Sequence, residues 1–248
     1  MSLALFAQLA LAAPLSLTTT DGIAIAASHD GSGDAGIVLV HGKDGSHDDW
    51  TTLSTKLSSS GFQVVAIDLR GHGASGGAPL QPEDYLSMKG DVSAATAWLR
   101  ANGASSVAVI GTELGANVAL NAAAADEAID NLLLLSPGLN HEGVKVGAAI
   151  GAYGGPLLIV AGKSDMMGTK AATILGGKAT GPKHIELAST SAKGLNLLNS
   201  VPGLDGLMIS WLNGSFNSAA DPAAIRPEIS SQTSGQLETT GTRLEDRR

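Results

Sequence analysis

The chain has no cysteine in its 248 residues, so disulfides, thiolate-bound zinc and a cysteine nucleophile are excluded. The same absence leaves the redox compartment undecided. Aromatic residues make up only 3% of the sequence, too few for the stacking platforms on which nucleic-acid bases are bound. Lys and Arg form no cluster and the formal net charge is -8. Nucleic acid and other polyanions are therefore not expected as partners, because phosphate binding depends on basic side chains that release counterions. No apolar run approaches the roughly 20 residues of a spanning helix, so no integral membrane segment is expected.

What the chain does have is 44% apolar and 15% charged residues with abundant Ala and Gly, enough to bury one substantial core. That core should be Val, Leu, Ile and Ala packed closely across small residues. At the N-terminus, "MSLALFAQLALAAPLSL" carries an apolar run from Leu3 to Ala13 and a small-x-small step at Ala10-Leu11-Ala12. This resembles the end of a secretory signal without its basic n-region. Two readings stand side by side: residues 1–14 are the leader of an exported protein, periplasmic or extracellular, or they are an ordinary first element, or a truncated start, of a cytoplasmic one. From about Asn217 the sequence lacks periodicity and is rich in Ser, Thr, Gly, Pro and mixed charge. Residues 217–248 read as a disordered polar tail, leaving one domain over 15–216.

Within that domain, "LSLTTTDGIAIAAS" places two alternating runs around Asp21-Gly22, an antiparallel hairpin signal. "GIVLVHG" is a continuous branched apolar run, as in a strand covered on both faces. From there strands ("FQVVAIDLRG", "SVAVIG", "NLLLLSPG", "PLLIVAG", "KHIELAS") alternate with helical patterns at Asp48 to Gly61, from Pro82 to Gly103, "LGANVALNAAAAD", "MGTKAATILGG" and one last helix around "LNLLNSVPGLDGLMISWLNGSF". The helix opening at Pro82 is expected to bury a stripe of Tyr85, Leu86, Val92, Ala95 and Leu99. The segment between Gly138 and Gly154 is poorly patterned. Such alternation implies an α/β fold: a mostly parallel central sheet of about eight strands flanked by helices, with right-handed crossovers. Sites in these sheets lie at the carboxyl ends of the strands.

Several motifs stand at those ends. His41-Gly42 closes a buried strand. "DLRGHGAS", Asp68 to Ser75, follows the next. Gly111-Thr112-Glu113-Leu114-Gly115 joins a strand to an Ala/Leu-rich helix, "LLIVAGKSD" ends in Asp165, and "STSAKGLNLL" carries Lys193 after the last strand. In order and spacing these resemble the α/β-hydrolase family, in its compact form without a large cap, over roughly Leu15 to Phe216. The resemblance implies that His41 and Gly42 shape an oxyanion turn, whose backbone donors are the N–H groups of Lys43 and Leu114. It also implies that Gly111 and Gly115 are the two glycines of a strained nucleophile elbow. Glu113 stands at the nucleophile position, Asp165 at the acid and Lys193 at the histidine. His184 precedes its strand and should lie at the opposite end of the sheet.

A serine mechanism needs a hydroxyl nucleophile, a near-neutral histidine and an orienting acid. Here the first two are replaced. A carboxylate would form an unstable mixed anhydride with an acyl group, and a lysine, ordinarily of pKa about 10.4, holds its proton at neutral pH. The sharper alternative takes Glu113 as an alkyl-accepting nucleophile, as an aspartate serves in the family's dehalogenases and epoxide hydrolases. The family then implies that the step stalls without a histidine to activate water. The simpler expectation is an ion cluster, with Lys193 near 3 Å from both Glu113 and Asp165, filling a degenerate triad site. The plainer reading of His41 and His72 is hydrogen-bonded turn residues, and of Ser136 a turn serine. Lys43, Asp44, His47 and Asp48 could bind a polar ligand or a metal, but their irregular spacing favours a solvated loop. "RGHGASGG" lacks the Lys-Ser/Thr ending of a P-loop, and no cofactor or metal is expected. The function expected is a non-catalytic or impaired hydrolase homologue with a small-molecule ligand in the inherited cleft. The alternatives are an active hydrolase with an unconventional site, and a structural or interaction protein without ligand.

Overall fold

The structure is a computed structural model and describes residues 12–77, 81 and 84–214. Most of the leader-like segment, the start of the expected second helix at Pro82 and the polar tail lie outside the described residues. Ten strands run in chain order as β1 Ala13–Thr18, β2 Ala24–Asp30, β3 Ala35–Val40, β4 Phe62–Ile67, β5 Ser106–Thr112, β6 Asn131–Leu135, β7 Asn140–His141, β8 Val144–Lys145, β9 Leu157–Gly162 and β10 Lys183–Ala188. The helices are α1 Thr51–Ser59, α2 Lys89–Ala101, α3 Leu114–Ala123, α4 Ala149–Ala152, α5 Met166–Lys178, α6 Asn196–Ser200 and α7 Leu204–Leu212.

Eight strands form one sheet in the order β1-β2-β4-β3-β5-β6-β9-β10. The β1–β2 hairpin turns at Asp21-Gly22, as the sequence expects, and β2 also pairs antiparallel with β4. The remaining pairings are parallel. Both faces are covered, which explains the unbroken apolar runs. Val38, Val40, Val107 and Val109 point into a core shared with α2, α3, α4 and α5. The alternate residues Ile37, Leu39, Ala108 and Ile110 point into a second core under α1, α6 and α7. The chain leaves β3 for β4 on one side and then returns to β5 on the other. The carboxyl ends of β3 and β5 thus flank the point where strand order reverses, the usual place for a site.

Three helical expectations change. The run from Asp48 begins as a 3₁₀ turn, His47–Trp50, closed by a capping box between Ser46 and Asp49. In the second, Tyr85–Met88 is a 3₁₀ turn ahead of α2. Its three residues per turn rotate Leu86 out of the expected stripe, and Leu86 is 46% exposed. The single last helix is two, because Pro202 offers no N–H to continue α6 and Gly203 has φ 77, outside the helical region. The poorly patterned segment holds the small β7–β8 hairpin and α4.

Candidate functional site

The elbow is built by close approach. Glu113 has φ 50 and ψ -113, between β5 and α3, where an L-residue is strained. A Cβ on Gly111 would collide with the Gly115 carbonyl, and one on Gly115 with the carbonyls of Val40 and His41. Both glycines are therefore fixed by backbone crowding. The Glu113 N–H donates to the Leu135 carbonyl at 3.0 Å, and its own carbonyl accepts from Asn117 N–H at 3.2 Å. Its carboxylate lies between two glycine faces. A Cβ on Gly42 would stand 3.2 Å from Oε2, and one on Gly194 would stand 2.8 Å from it.

The His41-Gly42 turn is held by an interior histidine. His41 is wholly buried, its Nε2 accepts from the Leu69 N–H at 2.9 Å and its Nδ1 lies 2.6 Å from the Gly42 carbonyl. That pattern assigns the proton to Nδ1. Burial, above all else, pulls the His41 pKa below 6.5. His41 thus acts as a strut between two strand ends, as the plainer reading holds. The "DLRGHGAS" loop is equally structural. Buried Arg70 donates to Asp91 and Asp21, and Asp68 accepts from the N–H groups of His47 and Ala74. Lys43 and His47 do not converge on a common point: Lys43 pairs with Glu142 at 2.8 Å and His47 with Asp68 at 2.8 Å. No group of metal-binding side chains occurs among the described residues.

At the far side of the elbow, Lys193 Nζ stands 3.9 Å from Glu113 Oε1, and its side chain is 66% exposed. The expected second contact, to Asp165, is not within 4.0 Å among the described residues. Asp165 caps α5 instead, with Oδ1 accepting from Gly168 N–H at 3.1 Å. A local cap closes no long loop and satisfies a helix-end donor, whereas Lys193 keeps its hydration. The triad-equivalent residues thus form one loose ion pair and one helix cap, not a three-membered cluster. Ser136 (φ 49) is buried, and its Oγ accepts from Gly194 N–H at 3.0 Å. It ties the β6 end to the last loop, beside Glu113. His184 lies early in β10, 3.4 Å from Glu186.

One site residue escaped the sequence. The β7–β8 hairpin turns on Glu142 (φ 47) and Gly143 (φ 85), the pair of positive φ values of a type I′ turn. Asn117 anchors it to the elbow helix, donating to the Val144 carbonyl at 2.8 Å and accepting from Gly138 N–H at 3.1 Å. The hairpin brings in His141, whose ring fills the space a Gly138 Cβ would need, 2.6 Å from Nε2. Burial is the main cause holding the His141 pKa below 6.5, and the same imidazole lies in the fields of Glu113, Lys193 and Asp165. No hydrogen bond engages its ring nitrogens among the described residues. A Glu-Gly pair between two-residue strands is a weaker turn signal than Asp-Gly or Asn-Gly, which is why pattern reading passes over it.

The sheet topology and the glycine-crowded strand-to-helix turn define an α/β-hydrolase fold. The family described as serine aminopeptidase, S33, matches residues 31–151. Among solved structures, an esterase of Pyrococcus furiosus aligns with TM-score 0.71 at 18% identity, over 82% of this chain and 91% of that one. An esterase from Exiguobacterium antarcticum aligns with TM-score 0.68 at 15% identity, covering 81% and 100%. DcsB, solved with a substrate analogue, aligns with TM-score 0.72 at 15% identity, covering 83% and 100%. No curated protein sequence matches the chain. The chain therefore has the α/β-hydrolase fold.

Proposed function

We propose that this chain no longer runs the serine-histidine-acid reaction and instead holds a small molecule over its elbow without turning it over. The observation that carries this reading is Glu113 itself, on an elbow of positive φ between two sterically required glycines and with the Lys193 ammonium as its neighbour. Neither group supplies an acyl-accepting hydroxyl or a near-neutral base. With Asp165 committed to its cap, the acid of a triad is also turned away. The strained turn remains formed all the same, which supports a retained use for the surface it shapes.

Purified protein is expected to hydrolyse no member of a panel of short acyl esters and to take no label from a fluorophosphonate. The Glu113→Ser, Lys193→His double variant is then expected to gain slow esterase activity, since the strained, glycine-flanked elbow is retained. Turnover by the parent that disappears in Glu113→Gln would overturn the reading.

His141 supports a second reading. An imidazole within the field of the elbow carboxylate is the kind of group that activates water, and an active hydrolase of unconventional design would use it. In that case parent activity on an ester or related substrate would be found and lost in His141→Ala. A protein with a purely structural role would show neither turnover nor thermal stabilisation by any small molecule.

A further inference from the structure

The sheet order sets β5 between β3 and β6, with Val40, Gly111 and Leu134 in register across the three parallel strands. Glu113 stands just beyond Gly111, at the carboxyl end of the middle strand. Lys43 leaves β3 at that same end on one side of it, and the β7–β8 hairpin follows β6 on the other. Yet Lys43 Nζ and Glu142 Oε1 meet at 2.8 Å. Two strand spacings, about 10 Å, separate β3 from β6, so this ion pair crosses the end of β5. Both of its ends adjoin the elbow surroundings. Gly42, next to Lys43, is the residue whose Cβ would stand 3.2 Å from Glu113 Oε2, and His141, next to Glu142, lies in the field of Glu113.

The hairpin is fastened unequally. Its second strand is bound to the elbow helix α3: Asn117 donates to the Val144 carbonyl at 2.8 Å and Asn121 to the Lys145 carbonyl at 3.0 Å, while the Val144 and Val146 side chains are wholly buried. Its turn is held by the Lys43 pair, whose side chains are 48% and 39% exposed. Asp44 and Tyr85 also act on the Lys43 ammonium, but the hydrogen bond to Glu142 is the main cause that raises its pKa. An exposed pair contributes little in water and is weakened by salt. A fixed base with a weakly fastened tip is the construction of a segment that opens locally while the domain stays folded.

We propose that the Lys43–Glu142 pair is a salt-sensitive strap, closed in this structure, that holds the hairpin tip across the elbow and whose release uncovers Glu113 and His141 together. Release leaves β8 on α3 and frees Asn140 to Gly143, so the elbow opens on its β6 side. The device needs neither a bound ligand nor turnover, and so stands apart from the ligand-binding reading above.

The test uses full-length protein at constant pH, at about 0.02 M and about 0.5 M salt, which leave exposed charges weakly and strongly screened. Amide exchange over residues 140–143 and relaxation of the His141 ring protons by a neutral gadolinium chelate report opening. Salt is expected to raise both readings while β5 and β6 keep their exchange rates. Lys43→Met and Glu142→Gln should each raise them at low salt by about 1.5- to 5-fold, the loss of one exposed pair, and should abolish the salt dependence. The exchanged pair Lys43→Glu, Glu142→Lys should restore the readings of the parent. Glu142→Lys alone, which sets two ammonium groups face to face, should exceed Lys43→Met. Unchanged readings in Lys43→Met overturn the strap. Acceleration that spreads equally to β5 and β6 also overturns it, because the pair would then serve the stability of the whole domain. An exchanged pair that behaves like Lys43→Met does so too, since the attraction between the two charges would not be what holds the tip.

Discussion

Glu113 is held where a glutamate has no conformational reason to be. Its φ of 50 with ψ -113 lies outside the allowed regions of L-residues, and such a residue costs on the order of 1–3 kcal/mol. Its compensation is thin, since an ion pair at 3.9 Å with a 66% exposed lysine contributes little in water. Glu113→Gly is therefore expected to stabilise the protein by about 1 kcal/mol, the relieved strain less the greater unfolded-state freedom of glycine. Urea unfolding of the two proteins measures this directly, and a destabilised Glu113→Gly would mean that the carboxylate has partners stronger than Lys193. The neighbouring glycines behave in the opposite sense. A methyl group on Gly111 or Gly115 meets backbone carbonyls, not flexible side chains. Either Ala substitution should cost about 1–3 kcal/mol or more, and the same titrations report it.

At the scale of elements, the hairpin of β7 and β8 is the least self-sufficient part of the site. Two-residue strands have no core of their own, and the hairpin depends on Asn117, whose amide serves both the Val144 carbonyl and the Gly138 N–H inside the protein. Asn117→Leu leaves both groups buried without partners, at about 1–3 kcal/mol. Hydrogen exchange over residues 138–146 should accelerate more than exchange in β5 or β6. Equal acceleration throughout would show that Asn117 supports the whole domain. The same contrast explains what the sequence made legible. Parallel strands buried on both faces read as apolar runs, and the elbow glycines announce themselves because backbone crowding is local. The hairpin, the break at Pro202-Gly203 and the turning of Leu86 to solvent each depend on a few residues with weak periodicity. The position of the Lys193 and Asp165 side chains depends on a choice between a helix cap and an ion pair, which no spacing reveals.

Across the whole molecule, three histidines share one direction of shift. Burial is the first cause that lowers His29, His41 and His141 below 6.5, so the folded chain resists protonating them while the unfolded chain does not. For a group whose folded pKa is depressed in this way, the unfolded state binds protons first as pH falls. Stability is then full above about 6.5 and declines as pH drops below it toward the folded pKa values. His41 should dominate, being wholly buried and committed through Nε2 to the Leu69 N–H. A second proton there would face a donor, so acid must break the strut between β3 and the loop after β4. The urea midpoint is expected to change little from about pH 8 to about pH 7 and to fall steadily from about pH 6.5 to about pH 5. His41→Gln should lower stability at neutral pH, through lost packing and hydrogen bonds, yet flatten the acid limb by close to one proton. A variant curve parallel to that of the parent would remove His41 from this account and leave the limb to His29 and His141. Because His41 precedes Gly42, whose face packs against the Glu113 carboxylate, the same acid limb should carry any ligand stabilisation with it. Weakening of a ligand bound over the elbow should therefore begin at the pH where global stability begins to fall.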